Sequence, residues 1–576
     1  MARAKNAAEP SGPVMTGQER ADLDARLARV VSKPLRSELG GGRFFLFWAA
    51  RDDSNSVQMM IWNPETEQEL RDANFFHDAA HGLGVFAKPV PKGKPLPRTA
   101  EHAALIKGVL ANRTDTTGYL VYADYLTEQG NTQGDYIRLC VEASKLPPSH
   151  PDADALARRT TDLSDAHAEE WFAPLGALGL RPETLGHFTP YAWMSLERGV
   201  IEEVTIDRPG VLPQNAARLF AAAPFLRTLN FEQGHLDPAA VAKVKQLAQI
   251  EALNLFHTEL TADGLSTLLR SKHLTGLKSL ELRSNAIGDE GALALTKWPG
   301  LTNLESLNVS SCDLSSTGTH TLTSCKSLTG LKKLRIGGND NDGDTAHVVL
   351  ASSILSSLTE LELGACGCGH TATALFRTAA FARTLEVLDL DSATFQAGTF
   401  AAFAGTKLPA LRVLKLNAVN LPVPAATQLA NAAFRDSLEE LYLDNCALGA
   451  GSGNFFYQSR FPKLRTLDIS RNRVERYGLT VLASKPKNFP ALTSLKLYDN
   501  RLGAEAVAAL AASKVLANLT DLDLSGNKIG PAGAVALVNS KHLKKLTSLT
   551  VDEKTVGKTG KRALLDRFGE SAVSFR

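Results

Sequence analysis

The sequence predicts an α/β solenoid: a parallel sheet on the concave side of a horseshoe, helices on its convex side, and small α/β and helical domains ahead of it. Three observations carry this. From Ile201 onward the chain aligns on itself with a period of mostly 27 residues, the mark of stacked supersecondary units. Each copy repeats the spacing of Leu277, Leu280, Leu282 and Asn285, as in Leu331, Leu334, Ile336 and Asn339 or Leu519, Leu522, Leu524 and Asn527. Within each copy an alternation of period two gives way to a spacing of four, so a unit reads as a strand followed by a helix.

The strand half places residues such as Leu280 and Leu282 on one side, and Ser279, Glu281 and Arg283 on the other. The Asn that follows stands where the chain turns inward. Its side chain can pair with backbone groups that the turn would otherwise bury unsatisfied. Cys312, Cys366 and Cys446 take this ladder position in three copies, which predicts packed, reduced thiols rather than disulfides. In the helix half, glycines such as Gly291 and Gly533 stand four residues before Leu295 and Leu537, so a small residue faces the strand layer. Counting weaker copies gives fourteen units, beginning at Ile201 and ending with the unit at Leu546. Strands stack about 4.8 Å apart and helices roughly 8 to 10 Å apart, so the array must bend with its strands inside.

The pattern L-x-x-L-x-L-x-x-N/C resembles the leucine-rich repeat, and the strand-plus-helix unit looks like its ribonuclease-inhibitor-like subclass. The resemblance implies a protein-binding scaffold without a cofactor. Ribonuclease inhibition itself is disfavoured, because the repeat length is uniform and no tryptophan stands at the concave positions.

Residues 1–40 are expected to be a flexible tail and short helix, and 41–98 a small α/β domain with strands at Phe44–Phe47 and Val57–Trp62. Three short helices follow in 99–146, with Asp115 and Gly130 as start and stop signals. The string from Tyr122 to Gly130 with Asp135 to Leu139 resembles the bacterial repeat-companion domain that often precedes such arrays. A helical linker and cap is expected over 147–198, with Trp171, Phe172 and Trp193 against the first repeat. The array then occupies 199–554 and a carboxy-terminal cap 555–576, its amphipathic segment running from Val556 to Phe568.

Chemistry has little support. Gly557-Lys558-Thr559 ends like a phosphate loop, but Asp552 stands where the first glycine belongs. His77 and His81 are one helical turn apart with no third ligand nearby, and Cys366 of the Cys366/Cys368/His370 set is committed to the ladder. Asp124 and Glu128 share a helix face, where acids usually pair with Lys or Arg. No catalytic, cofactor or metal site is therefore expected.

The candidate partner site is the outward face of the concave sheet in the later units. It carries Glu360, Glu362, Asp389, Asp391, Glu440, Asp444, Asp468, Asp521, Asp523 and Asp552 against Lys415 and Lys496, with Tyr442 and Tyr498 as aromatic anchors. Earlier units mix Glu232 and Glu281 with Arg283, Lys333 and Arg335. One sign of charge on a concave wall attracts the opposite sign, so a basic protein surface is the expected partner. A formal net charge of +2 supplies no global field for nucleic acid or membrane, and neither is expected. Met1 to Pro13 is polar, and no run approaches the roughly 18 apolar residues of a membrane helix, so the cytoplasm is the expected location. Regulation of a small GTPase, by fold analogy, and an enzyme with a site in residues 41–98 are the alternatives.

Overall fold

In strand after strand of the repeat, the middle residue is buried and its two neighbours are half-exposed, as alternation demands: Leu280 is 2 % exposed between Ser279 and Glu281. The computed structural model describes residues 99–146, 150, 152–171, 194–206, 210, 212–231, 234–339, 343–396, 398–449 and 451–576. It also gives the backbone of Leu35–Leu39, Arg43–Ala49, Val57–Trp62 and Glu69–Leu70. Two compact units result: 1–207 with 218–225, and 208–217 with 226–576.

Among the described residues the larger unit is built on fourteen strands, from Thr228–Phe231 to Val573–Phe575, all parallel. Their register puts one leucine beside the next, so that Leu280, Leu307, Leu334, Leu361, Leu388 and Leu414 form a continuous buried row. Each contributes roughly 1.5–3 kcal/mol, but only with a neighbouring coil on either side. A helix follows nearly every strand. Gly478 lets neighbouring helices sit close, since a Cβ there would run into Ser452 Oγ on the helix before it.

The ladder works in both directions through one side chain. Asn285 Oδ1 accepts from the Thr258 and Leu260 amides at 3.1 and 2.9 Å, and its Nδ2 donates to the Leu255 and Leu282 carbonyls at 2.7 and 2.8 Å. Asn339 and Asn527 repeat the set, and Asn472 and Asn500 repeat it except that their second donation goes to the Ser470 and Tyr498 carbonyls. A thiol keeps the donating half: Cys312 Sγ lies 3.1 Å from the Leu282 carbonyl and Cys446 Sγ 2.9 Å from that of Leu416. Where Cys366 and Ala393 stand at this position the backbone supplies the pairing itself, Gly367–Cys368 lying parallel to Thr394–Phe395. From the unit at Ile250 to the unit at Leu519, the chain turns through the left-handed region one residue before the ladder, at His257, Ser284, Ser311, Gly338, Ala365, Ser392, Ala418, Asn445, Arg471, Asp499 and Gly526. The array closes with the helix Glu553–Phe568. The expected cap is more than a helix, because Val573–Phe575 returns as a last strand beside Ser548–Val551.

The smaller unit holds the three expected short helices, Ala100–Ala111, Thr116–Glu128 and Gln133–Ser144, with the Asp115 side chain accepting from the Thr117 amide at 2.9 Å. Tyr119, Tyr122, Leu126, Ile137 and Val141 form its core with Val200 and Phe225. Within the helical linker and cap expected over 147–198, the helix Ala153–Trp171 is described, 172–193 lie outside the described residues, and Met194–Glu197 forms a hairpin with Val200–Ile206. Arg198 and Gly199, both at positive φ, make its two-residue turn. Trp171, expected on the first repeat, packs on Tyr136 at 5.0 Å and donates to Thr132. Phe172 and Trp193 fall outside the described residues. Leu35–Leu39, within the expected tail and short helix, is a strand antiparallel to Arg43–Ala49, which pairs in turn with Val57–Trp62. No helix among the described residues is long and apolar enough to cross a membrane.

Candidate protein-binding face

Parallel register turns one repeat position into one row across the sheet. The central outward residues run Arg335, Glu362, Asp389, Lys415, Tyr442, Asp468, Lys496 and Asp523, each beside the next. The expected site residues therefore do share a face. What separates them is how many already have partners.

Glu360 is the most committed. It accepts from Arg335 at 2.7 Å and Lys333 at 3.0 Å, one repeat back. Burial pushes its carboxyl up, but these two cations outweigh burial and hold it below its ordinary value. Glu362 serves the backbone, accepting from the Gly337 and Gly364 amides and the Ser310 hydroxyl at 3.1, 2.8 and 2.8 Å. Asp389 pairs with Lys415 at 3.1 Å. Asp391 accepts from the amide and side chain of Asn417 at 2.8 and 3.0 Å, and burial raises its carboxyl. Asp444 takes two bonds from Arg471, from Nε at 2.8 Å and from the adjoining Nη2. Glu440 accepts from the Tyr442 hydroxyl at 2.7 Å, which together with burial raises that phenol.

The remaining acids form a more open group. Asp468 accepts from the Ser470 amide, Asp521 from the Ser494 hydroxyl, and Asp523 from the amide and hydroxyl of Ser525. Among the described residues none of the three has a cationic side chain at ion-pair distance, nor has Lys496 an acid. Tyr442 borders this group on one side. Tyr498 stands two residues past Lys496, at the carboxy-terminal end of the strands, its ring against Gly526 and beneath the Arg576 guanidinium at 5.5 Å.

Counting outward positions in the sequence overstates the acidic excess, because Arg471 lies one position beyond those counted and Lys333 and Arg335 belong to a neighbouring unit. The count also misses Phe256 in an early unit, a half-buried ring that Arg283 covers at 5.7 Å. An aromatic at the seventh repeat position was the available signal.

The other candidates resolve simply. Asp124 and Asp135 pair with Arg138. Cys366 and Cys368 are fully buried while His370 is exposed, and no group of three potential metal ligands occurs among the described residues. Gly557, at positive φ, interrupts the terminal helix rather than opening it. His77, His81 and Glu232 lie outside the described residues.

The family profile described as Leucine Rich repeat matches residues 273–295, 300–319 and 515–538. With the parallel sheet and its helices, this identifies the array as a leucine-rich-repeat solenoid. Among solved structures, the one titled "Crystal structure of Rad7 and Elc1 complex in yeast" is similar over 72 % of this chain and 97 % of that chain, at 15 % identity and a TM-score of 0.35. No curated protein matches the sequence.

Proposed function

We propose that this leucine-rich-repeat solenoid is a non-enzymatic scaffold of the ribonuclease-inhibitor-like subclass, preceded by a repeat-companion helical module, that binds a basic protein surface in the cytoplasm. The single observation behind the partner's chemistry is the row Tyr442, Asp468, Lys496 and Asp523 with Asp521 beside it: three carboxylates, one cation, an aromatic at its start, and a second aromatic, Tyr498, two residues past Lys496. Such a face offers field for encounter and rings for anchoring. Glu360, Glu362, Asp389, Asp391, Glu440 and Asp444 shape and stiffen the wall, while Tyr442 and Tyr498 with Asp468, Asp521 and Asp523 make the contact.

The test follows from the bonds. Replacing Asp468, Asp521 and Asp523 by Asn removes three charges but keeps an oxygen to accept from Ser470, Ser494 and Ser525. A partner isolated from the native cell should then associate on the order of 10-fold more slowly at low salt. An unchanged association rate removes the reading.

A further inference from the structure

The twelve segments that lead from the end of each helix to the first aliphatic residue of the next unit, 242–250 through 539–546, hold seventeen lysines and arginines against one acid, Asp436. The whole chain has 63 bases and 61 acids, which leaves 46 bases and 60 acids everywhere else. Near-neutrality is thus the sum of two opposed regions.

These segments form one physical edge. Ser271 Oγ donates to the Ala242 carbonyl at 2.5 Å, Asn518 Nδ2 to that of Pro490 at 3.1 Å, Ser540 Oγ to that of Ala511 at 2.6 Å, and Lys545 Nζ to Asn518 Oδ1 at 2.9 Å. Each coil's segment lies on the one before it; 298–304 and 352–358 carry no base, but the seven consecutive segments from 376–385 to 539–546 hold twelve of the seventeen, following one another at between roughly 4.8 and 10 Å. All but Arg435 and Lys485 are exposed. Among the described residues only Arg435 of the seventeen has an acid partner, its neighbour Asp436 at 3.8 Å. Elsewhere the array pairs its charges across coils, as Lys278 with Glu251, Lys332 with Glu305 and Arg412 with Glu439. Neutralising helix carboxy-terminal dipoles does not account for the whole pattern, because that effect fades within the last turn while Lys463, Lys544 and Lys545 lie more than a turn beyond their helices.

We infer that this edge is a track for the phosphate backbone of nucleic acid, read without regard to sequence. Linear, unpaired, lysine-rich charge is what counterion release rewards. A bilayer is the poorer match: none of the six large apolar side chains exposed on the described residues lies in these segments, and stable membrane attachment needs an apolar or lipid anchor besides a basic patch. The track also opens into a groove of about 720 Å³, lined by Arg270, Lys272, Lys297 and Trp298, at its early end. The expectation of no nucleic-acid partner rested on net charge, which says nothing of an edge.

The test is fluorescence anisotropy of labelled single-stranded and duplex oligonucleotides with the full chain, titrated from about 50 to 200 mM salt. The comparison is a variant with Lys463, Lys487, Lys514, Lys541, Lys544 and Lys545 replaced by Gln, its folding checked by circular dichroism. Binding should weaken steeply with salt, and the variant should flatten the logarithmic salt slope for the single strand by roughly 4, at about 0.7 per lost contact. No binding at the lowest salt overturns the inference, as does an unchanged slope in the variant. Capture by phosphatidylserine vesicles that depends on these lysines, without oligonucleotide binding, overturns it in favour of a membrane.

Discussion

The amide of Cys312 is held by a side chain 27 residues ahead: Asn339 Oδ1 accepts from it at 2.8 Å while Asn339 Nδ2 donates to the Val309 carbonyl at 2.6 Å. Asn339 is 0 % exposed, so no water replaces a lost bond. Asn339→Ala strands two amides and two carbonyls and should lower stability by about 2–4 kcal/mol, measured by urea unfolding. Asn339→Cys should cost less, since a thiol retains a donor as Cys312 does toward Leu282. Equal loss from both would remove the account of why Cys alternates with Asn.

Gly526 ends the turn beneath Tyr498 at φ +72, and a Cβ there would lie 2.8 Å from the ring and from the Asp499 amide. Gly526→Ala should destabilise by about 1–3 kcal/mol. At the equivalent turn Ala418 is exposed with φ 57, and Ala418→Gly should raise stability by about 0.5–1 kcal/mol. Thermal unfolding of both variants decides the sign.

Glu360 gives a pH dependence. Its folded carboxyl is held below the ordinary value of 4.5, so its contribution is complete above that value and disappears as pH falls through the folded one. The stability gap between wild type and Glu360→Gln should be constant from about pH 6 to 7 and close below about pH 4. A gap that widens on acidification would contradict the pairing with Arg335 and Lys333.

In the helical unit, the Tyr119 hydroxyl donates to Glu202 Oε1 at 2.8 Å, and Glu202 is 1 % exposed. Burial, reinforced by Glu202, pushes the phenol up to about 12. Tyr119→Phe should cost about 1–3 kcal/mol by chemical unfolding. Because the unfolded phenol ionises near 10, the wild type should lose stability between about pH 10 and 12 and the variant less so.

Leucine spacing was enough to place the strands, and the Asn ladder followed from chemistry that any buried turn requires. Val573–Phe575 escaped because three residues after Gly569 carry none of the repeat's leucines; only the open edge at Ser548–Val551 calls for them. Met194–Glu197 escaped because its pairing depends on a turn at Arg198 and Gly199 that hides inside a polar stretch. On the binding face the residue types were legible, whereas Arg471 reaching Asp444 and Glu362 folding over Gly337 depend on side-chain reach between coils. The basic edge is countable in the sequence, but only once helix ends show which loops lie together.

Because each ladder asparagine satisfies the turn of the coil before it, dependence in this array runs one way along the chain. A nascent polypeptide leaving the ribosome through Cys312 has an unfinished turn until Asn339 has also emerged, and each coil completed by a following asparagine lags synthesis by a full unit. At the unit that begins with Leu546 the ladder position is Lys554, already within the terminal helix, so the succession of debts from coil to coil stops there.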